Sequence, residues 1–83
     1  MILRKKIETE LVNRGLWPKE AEAVMKELEA DKSSVPMQGR WDEDETAYPS
    51  QLFAVLLMAA KTKAVEWIDT NKPMHFARSL LVN

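Results

Sequence analysis

The chain has no cysteine, one histidine and only two glycines among its 83 residues. Without cysteine, neither a disulfide framework nor a thiolate metal site can stabilise the fold. A catalytic site that needs an imidazole base has a single candidate, His75. The formal net charge of −1 excludes the global basic excess that drives non-specific nucleic-acid binding. These absences favour one small domain, residues 1–83, held together by a hydrophobic core.

The sequence predicts neither a secretory signal nor a membrane span. Residues 4–6 are basic, and no apolar segment of signal-peptide length follows them. The longest apolar run, residues 52–60, is too short to cross a bilayer and is followed by Lys61 and Lys63. We therefore expect a cytoplasmic protein that does not associate with a membrane.

Residues 1–31 predict a helical hairpin. Apolar residues recur at helical spacing over about 2–13 and 18–31. Gly15 can take the left-handed conformation that ends a helix, and Pro18 suits the first position of the next one. Because residues 4–6 are basic and lie at the positive end of the helix dipole, we expect the first turn to fray. The apolar positions of this hairpin are Leu3, Ile7, Leu11, Val12, Trp17, Ala21, Val24, Met25 and Leu28.

The remainder predicts a loop and two helices. Residues 32–48 lack periodicity and contain helix breakers, so we expect an ordered loop that Trp41 anchors in the core. Residues 49–71 predict a long central helix, and Pro73 opens a short helix over 73–82. The fold class is therefore all-α, with the hairpin and the loop packed on the central helix. The aromatic residues expected in the core are Trp17, Trp41 and Trp67, with Tyr48, Phe53 and Phe76 at its ends.

Two patterns suggest chemistry, and neither is complete. Ser79 would face His75 one helical turn away, but no carboxylate nearby can orient the imidazole. Asp42 and Asp44 are spaced like the start of a calcium loop, whose sixth and twelfth positions must be glycine and glutamate. Alanine and phenylalanine occupy those positions here. We predict a protein with no enzymatic activity, no cofactor and no metal.

Charge is concentrated in two short segments. The acidic run, residues 42–45, should be solvated and complement the N-terminus of the central helix, or else bind a basic partner. A DNA-associated dimer would use the basic residues 4–6 to contact DNA. The second helix carries Glu20, Glu22, Glu27 and Glu29, which phosphates would repel, so nucleic acid is the less favoured partner.

Residues 7–28 resemble the first two helices of a ubiquitin-associated (UBA) domain. In that family a glycine followed by a hydrophobic residue joins two short amphipathic helices, and here these residues are Gly15 and Leu16. UBA domains continue directly into a third short helix, whereas a long loop follows here. The resemblance therefore implies the local geometry of the hairpin and not ubiquitin binding.

The C-terminal half contains Arg40, Trp41, Tyr48, Pro49 and the segments 64–68 and 73–78. In these residues it is similar to short uncharacterised proteins carried by bacteriophages and prophages. This similarity implies a bacterial cytoplasmic setting and a small accessory or host-interaction role.

The central helix has more apolar surface than one core can cover. A second face, Leu52, Val55 and Ala59, has no predicted partner within the chain, and a contiguous apolar patch usually marks an interface. We expect a small protein-interaction module that binds another protein, or itself as a homodimer. A DNA-associated regulatory dimer is the alternative. The candidate interface residues are Leu52, Val55, Ala59, Trp41, Asp42, Glu43 and Asp44.

Overall fold

The computed structural model describes residues 1–31 and 41–71 of the chain. Three helices account for most of this part: α1 is Leu3–Asn13, α2 is Pro18–Ala30 and α3 is Ser50–Asn71. A single 3-10 turn, Glu45–Ala47, precedes α3. These two ranges contain no strand, and the all-α prediction is confirmed. The predicted helix over 73–82 and the loop residues 32–40 lie outside the described ranges.

The hairpin turns where the sequence predicts. Gly15 has a φ of 108°, the left-handed region that glycine enters most readily. Its N–H donates to the Val12 carbonyl at 2.9 Å, and the Leu16 N–H donates to the Leu11 carbonyl at 3.2 Å. This pair of bonds is the Schellman motif, and the buried Leu16 supplies the hydrophobic contact that accompanies it.

The second helix begins with a half-formed capping box. Pro18 is the first helical residue, as the sequence predicts. The Glu20 carboxylate accepts the backbone N–H of Trp17 at 2.9 Å, which satisfies a donor that the helix itself leaves unpaired. Glu20 is also an anion in the first turn, where the helix dipole favours negative charge.

The core lies where α3 packs against both helices of the hairpin. Each helix contributes residues three or four apart, so each buries one side. On α3 the buried residues are spaced by four: Leu56, Ala60, Ala64 and Ile68. The hairpin contributes Leu3, Ile7, Leu11, Leu16, Ala21, Val24, Met25 and Leu28.

The three tryptophans differ in burial. Trp41 is 3% exposed and belongs to the core, which confirms its predicted burial, and Trp67 is partly buried against the same cluster. Trp17 is 66% exposed, so its predicted place in the core is wrong. It precedes Pro18 with extended backbone angles, φ −76° and ψ 153°. Because Trp17 is not helical, its side chain does not follow the apolar stripe of α2.

The first turn of α1 is bonded rather than frayed, so that prediction is corrected. The Leu3 N–H donates to the Glu43 carbonyl at 2.7 Å, and the Arg4 N–H donates to the Trp41 carbonyl at 3.0 Å. In return the Met1 carbonyl accepts the Glu45 N–H at 2.8 Å. Loop carbonyls thus satisfy donors that a helix N-terminus otherwise leaves to water.

Among the helices described, none combines the length and the hydrophobicity needed to cross a lipid bilayer.

Candidate protein-binding surface

The outward side of α3 carries two large apolar residues exposed to solvent. Val55 is 52% exposed and Met58 is 60% exposed. They are three residues apart, so their side chains are neighbours on the helix surface. The other large apolar side chains exposed in residues 1–31 and 41–71 are Met1, Ile2 and Trp17, and none of these lies within a helix. Val55 and Met58 are therefore the centre of the candidate surface.

The sequence predicted three exposed residues on this side of α3, and in the structure they differ in solvent exposure. Val55 is exposed, whereas Leu52 and Ala59 are partly buried and pack against the edge of the core. Sequence reasoning missed Met58, although its position one turn after Val55 placed it on the same side. Leu52 and Ala59 therefore border the surface rather than form its centre.

A shallow groove of about 330 Å³ runs along this side of α3. Three of its six lining residues are apolar and three are polar, a mixture common at protein interfaces. Among the polar ones, Lys63 lies 3.2 Å from Asp31 and 3.6 Å from Glu66. The hydrogen bond with Asp31 raises the pKa of Lys63, which therefore stays charged. The lining residues are Val55, Met58, Ala59, Thr62, Lys63 and Glu66.

The acidic run is bonded to the start of α1, a contact that the sequence did not predict. Asp42 lies 2.7 Å from Arg4 and Asp44 lies 3.2 Å from the N-terminal ammonium group of Met1. Glu43 accepts a hydrogen bond from the Tyr48 hydroxyl at 3.3 Å. The run follows the buried Trp41, so packing brings it to the N-terminus of α1.

Asp44 is the most strongly perturbed carboxylate in this run. Hydrogen bonds from the Thr46 hydroxyl and backbone N–H, followed by the bond from the N-terminal ammonium group, lower the pKa of Asp44 from 3.8 to about 2. The Thr46 N–H bond also begins the 3-10 turn that leads into α3. Asp44 therefore bonds to two chain segments while its side chain stays 57% exposed to solvent.

The two sets of candidate interface residues do not meet at one groove, since none of Trp41, Asp42, Glu43 and Asp44 lines the groove along Val55 and Met58. A second groove, of about 240 Å³, separates the loop from the start of α3. It shares no lining residue with the groove along Val55 and Met58. Trp41 is buried and presents no contact surface, while Asp42, Glu43 and Asp44 are exposed but bonded to their own chain. The second groove is lined by Lys6, Glu45, Thr46, Tyr48, Ser50 and Phe53.

The basic segment 4–6 is compensated by carboxylates of the same chain. The Arg4 guanidinium donates to Glu29 through Nε at 2.9 Å and pairs with Asp42. The carboxylate of Glu29, whose hydrogen bond is the largest cause, raises the pKa of Arg4 further above its ordinary value. Lys5 pairs with Glu8 at 3.5 Å, and Lys6 approaches Glu10 at 3.9 Å. Nothing in this segment favours the alternative in which it contacts DNA phosphates.

Residues with catalytic or metal-binding potential are sparse in the described ranges. Residues 1–31 and 41–71 bring no three His, Cys, Asp or Glu side chains together as metal ligands would be. His75 and Ser79 lie outside these ranges, so the predicted absence of catalysis stays a prediction.

No protein-family model matches the chain, and no curated protein or solved structure is significantly similar to it. The resemblances to UBA hairpins and to phage proteins therefore stay predictions. The exposed apolar residues of α3, Val55 and Met58, are the feature that points to a function.

Proposed function

We propose that this protein is a small, non-enzymatic helical binding module that contacts a protein partner through the outward side of α3. The observation that carries the proposal is the exposure of Val55 and Met58 on a helix whose opposite side is fully buried. Leaving adjacent apolar side chains in water costs free energy that association recovers. A phage-borne accessory or host-interaction role in a bacterial cytoplasm is the setting that the sequence resemblance suggests.

The charged residues beside Val55 and Met58 suit reversible binding. Lys63 and Glu66 line the same groove, and Lys63 is held in place by Asp31. A fixed charge beside an apolar centre contributes to orientation more than to affinity. A module with this surface selects its partner by shape and charge and needs no chemical step.

A photo-crosslinking side chain placed at position 58 tests the proposal, with the same group at position 26 as the matched control. Met58 and Lys26 are both exposed helical residues, on α3 and α2 respectively. We expect a product at position 58 that is absent at position 26 when the protein is irradiated in its source cells. Mass spectrometry identifies the captured protein, which is then purified and its binding measured directly.

In that direct measurement, Val55→Glu should weaken binding at least about tenfold, because it introduces a charge into the apolar contact. Lys26→Glu should leave the affinity unchanged. Equal labelling at positions 58 and 26, or purified binding that is insensitive to Val55→Glu, would show that α3 is not the binding surface.

A further inference from the structure

We propose that the outward side of α3 binds a second copy of this chain, with the two α3 helices side by side and parallel. This inference rests on the proposed function and names its partner. Val55, Met58 and Thr62 are three and then four residues apart, the a, d, a spacing of a heptad, and all three are exposed. With Gln51 at the preceding d position, these four residues form what we call the outer stripe.

The outer stripe points away from the core. At about 100° per residue, Met58 lies about 160° around the helix from Ala60, which is fully buried. The intervening residues Leu52 and Ala59 are partly buried along one border. A second helix can therefore lie along the outer stripe without displacing any core side chain.

The charges beside the outer stripe select the parallel arrangement. Lys61 is a g position, and Glu66 is the e position of the next heptad. In a parallel pair these positions face each other across the seam, so Lys61 meets the partner's Glu66, and two-fold symmetry repeats the pair. In an antiparallel pair g faces g and e faces e, and no opposite charges would meet.

Both charged side chains are available for such a pair. Lys61 makes no ion pair with any residue in 1–31 or 41–71. Glu66 is 64% exposed at its side chain and contacts Lys63 at 3.6 Å, but Lys63 lies closer to Asp31, at 3.2 Å. Since Asp31 already compensates Lys63, Glu66 can reach the partner's Lys61 without leaving a cation unpaired.

The uncharged residues fit the same arrangement. Ala54 and Ala59 are the preceding g and e positions, so in the parallel register they face each other and let the helices approach closely. The β-branched residues Val55 and Thr62 occupy a, and the unbranched Met58 occupies d. β-branched residues at a with leucine at d favour two-stranded parallel pairs, and Met58, like leucine, has no branch at Cβ.

The outer stripe is short, so the dimer should be reversible. Stable interfaces bury about 800 Å² on each partner, and about two heptads of one helix provide less. We expect a dissociation constant on the order of tens of micromolar. Sedimentation equilibrium from a few micromolar to about a millimolar covers that range.

Charge exchange tests the register. Lys61→Glu and Glu66→Lys should each abolish self-association, because each places like charges across the seam of a parallel pair. An equimolar mixture of the two variants should associate again, since every facing pair is then oppositely charged. Association of the mixture also shows that both variants are folded. Wild-type protein that is monomeric at about a millimolar would overturn the proposal.

Disulfide trapping independently tests whether the two α3 helices are parallel. Because the chain has no native cysteine, only the introduced residues can form a disulfide. Val55→Cys and Thr62→Cys should each form a self-disulfide under mild oxidation, because a faces a in a parallel pair. Thr70→Cys, exposed but off the outer stripe, is the matched control and should not. Protein that sediments as a dimer while neither variant forms its self-disulfide would overturn the parallel register.

The two proposals can fail separately. In the photo-crosslinking experiment at position 58, a product of twice the chain's 9.5 kDa mass supports the second copy. A product of any other mass, with a monomeric purified protein, leaves α3 as a binding surface and overturns only the homodimer. No product at position 58 beyond the position 26 control overturns both.

Discussion

The backbone N–H of Leu3 donates to the carbonyl oxygen of Glu43 at 2.7 Å, across forty residues of sequence. This bond joins the first turn of α1 to the acidic run. Beside it, Asp44 lies 3.2 Å from the N-terminal ammonium group. The loop therefore acts as the N-terminal cap that Ile2, with no side-chain acceptor, cannot provide.

Removal of the Trp41 side chain should detach this loop. Trp41→Ala should destabilise the protein by about 3–5 kcal/mol, because a buried tryptophan is replaced by a cavity. Trp17→Ala is the matched control and should cost less than about 1 kcal/mol, since its side chain is largely exposed. Urea denaturation followed by circular dichroism measures both. Equal losses for the two variants would contradict the assigned burial.

Truncation of two consecutive residues of α3 should change the free energy of unfolding by very different amounts. Leu56→Ala should cost about 2–5 kcal/mol, because Leu56 is fully buried in the core. Val55→Ala should change the free energy of unfolding by no more than about 0.5 kcal/mol in the monomer. Thermal unfolding at micromolar concentration, below the expected dimer range, compares them. A larger loss at Val55 than at Leu56 would mean that α3 presents its other side to the hairpin.

Substitution of Gly15 in the left-handed turn between α1 and α2 should destabilise the protein. Gly15→Ala should destabilise the protein by about 1 kcal/mol, because a Cβ atom disfavours the positive φ that Gly15 adopts. Ala23→Gly, inside α2, is a useful comparison, since it should cost a similar amount through backbone entropy alone. Chemical denaturation measures both. Stabilisation by Gly15→Ala would indicate that the turn does not need this conformation.

Acid should weaken the link between the loop and the chain start. Folding lowers the pKa of Asp44 from 3.8 to about 2, so its contribution to stability is present above about pH 4. That contribution disappears as the pH falls through the folded value near 2. Asp44→Asn should therefore show a shallower loss of stability between about pH 4 and 2 than the wild type.

Thr46→Val tests the cause of this shift. It removes the hydroxyl donor, the largest cause, and keeps the backbone N–H. The Asp44 pKa, measured by carbon-detected NMR titration, should rise toward its ordinary value. An unchanged pKa would assign the shift to the backbone N–H of residue 46 and the N-terminal ammonium group instead.

Much of this fold could be predicted from local sequence. Helical spacing of apolar residues placed α1, α2 and α3 to within a residue or two, because each helix must bury one stripe. Gly15 and Pro18 marked their turn, because the backbone preferences of glycine and proline are intrinsic to those residues. Trp41 was predicted in the core because a large aromatic residue in a polar loop stabilises the fold only when buried.

Two features that the sequence did not predict share a physical cause. Trp17 fits the stripe of α2 in sequence, but at the helix boundary its extended backbone turns the side chain into solvent. The acidic run is next to α3 in sequence, but Trp41 packing brings it to α1 in space. Both outcomes depend on backbone path rather than on residue spacing.

The helices, their turn and the excess of apolar surface on α3 follow from local preferences and hydrophobic periodicity, so they can be read from the residue order. Which part of that excess stays exposed depends on how the helices pack. The packing buries Leu56 completely, covers the border residues Leu52 and Ala59 in part, and leaves Val55 and Met58 in solvent. The reason is geometric: the hairpin is wide enough to cover one side of α3, and periodicity cannot say where its edges fall.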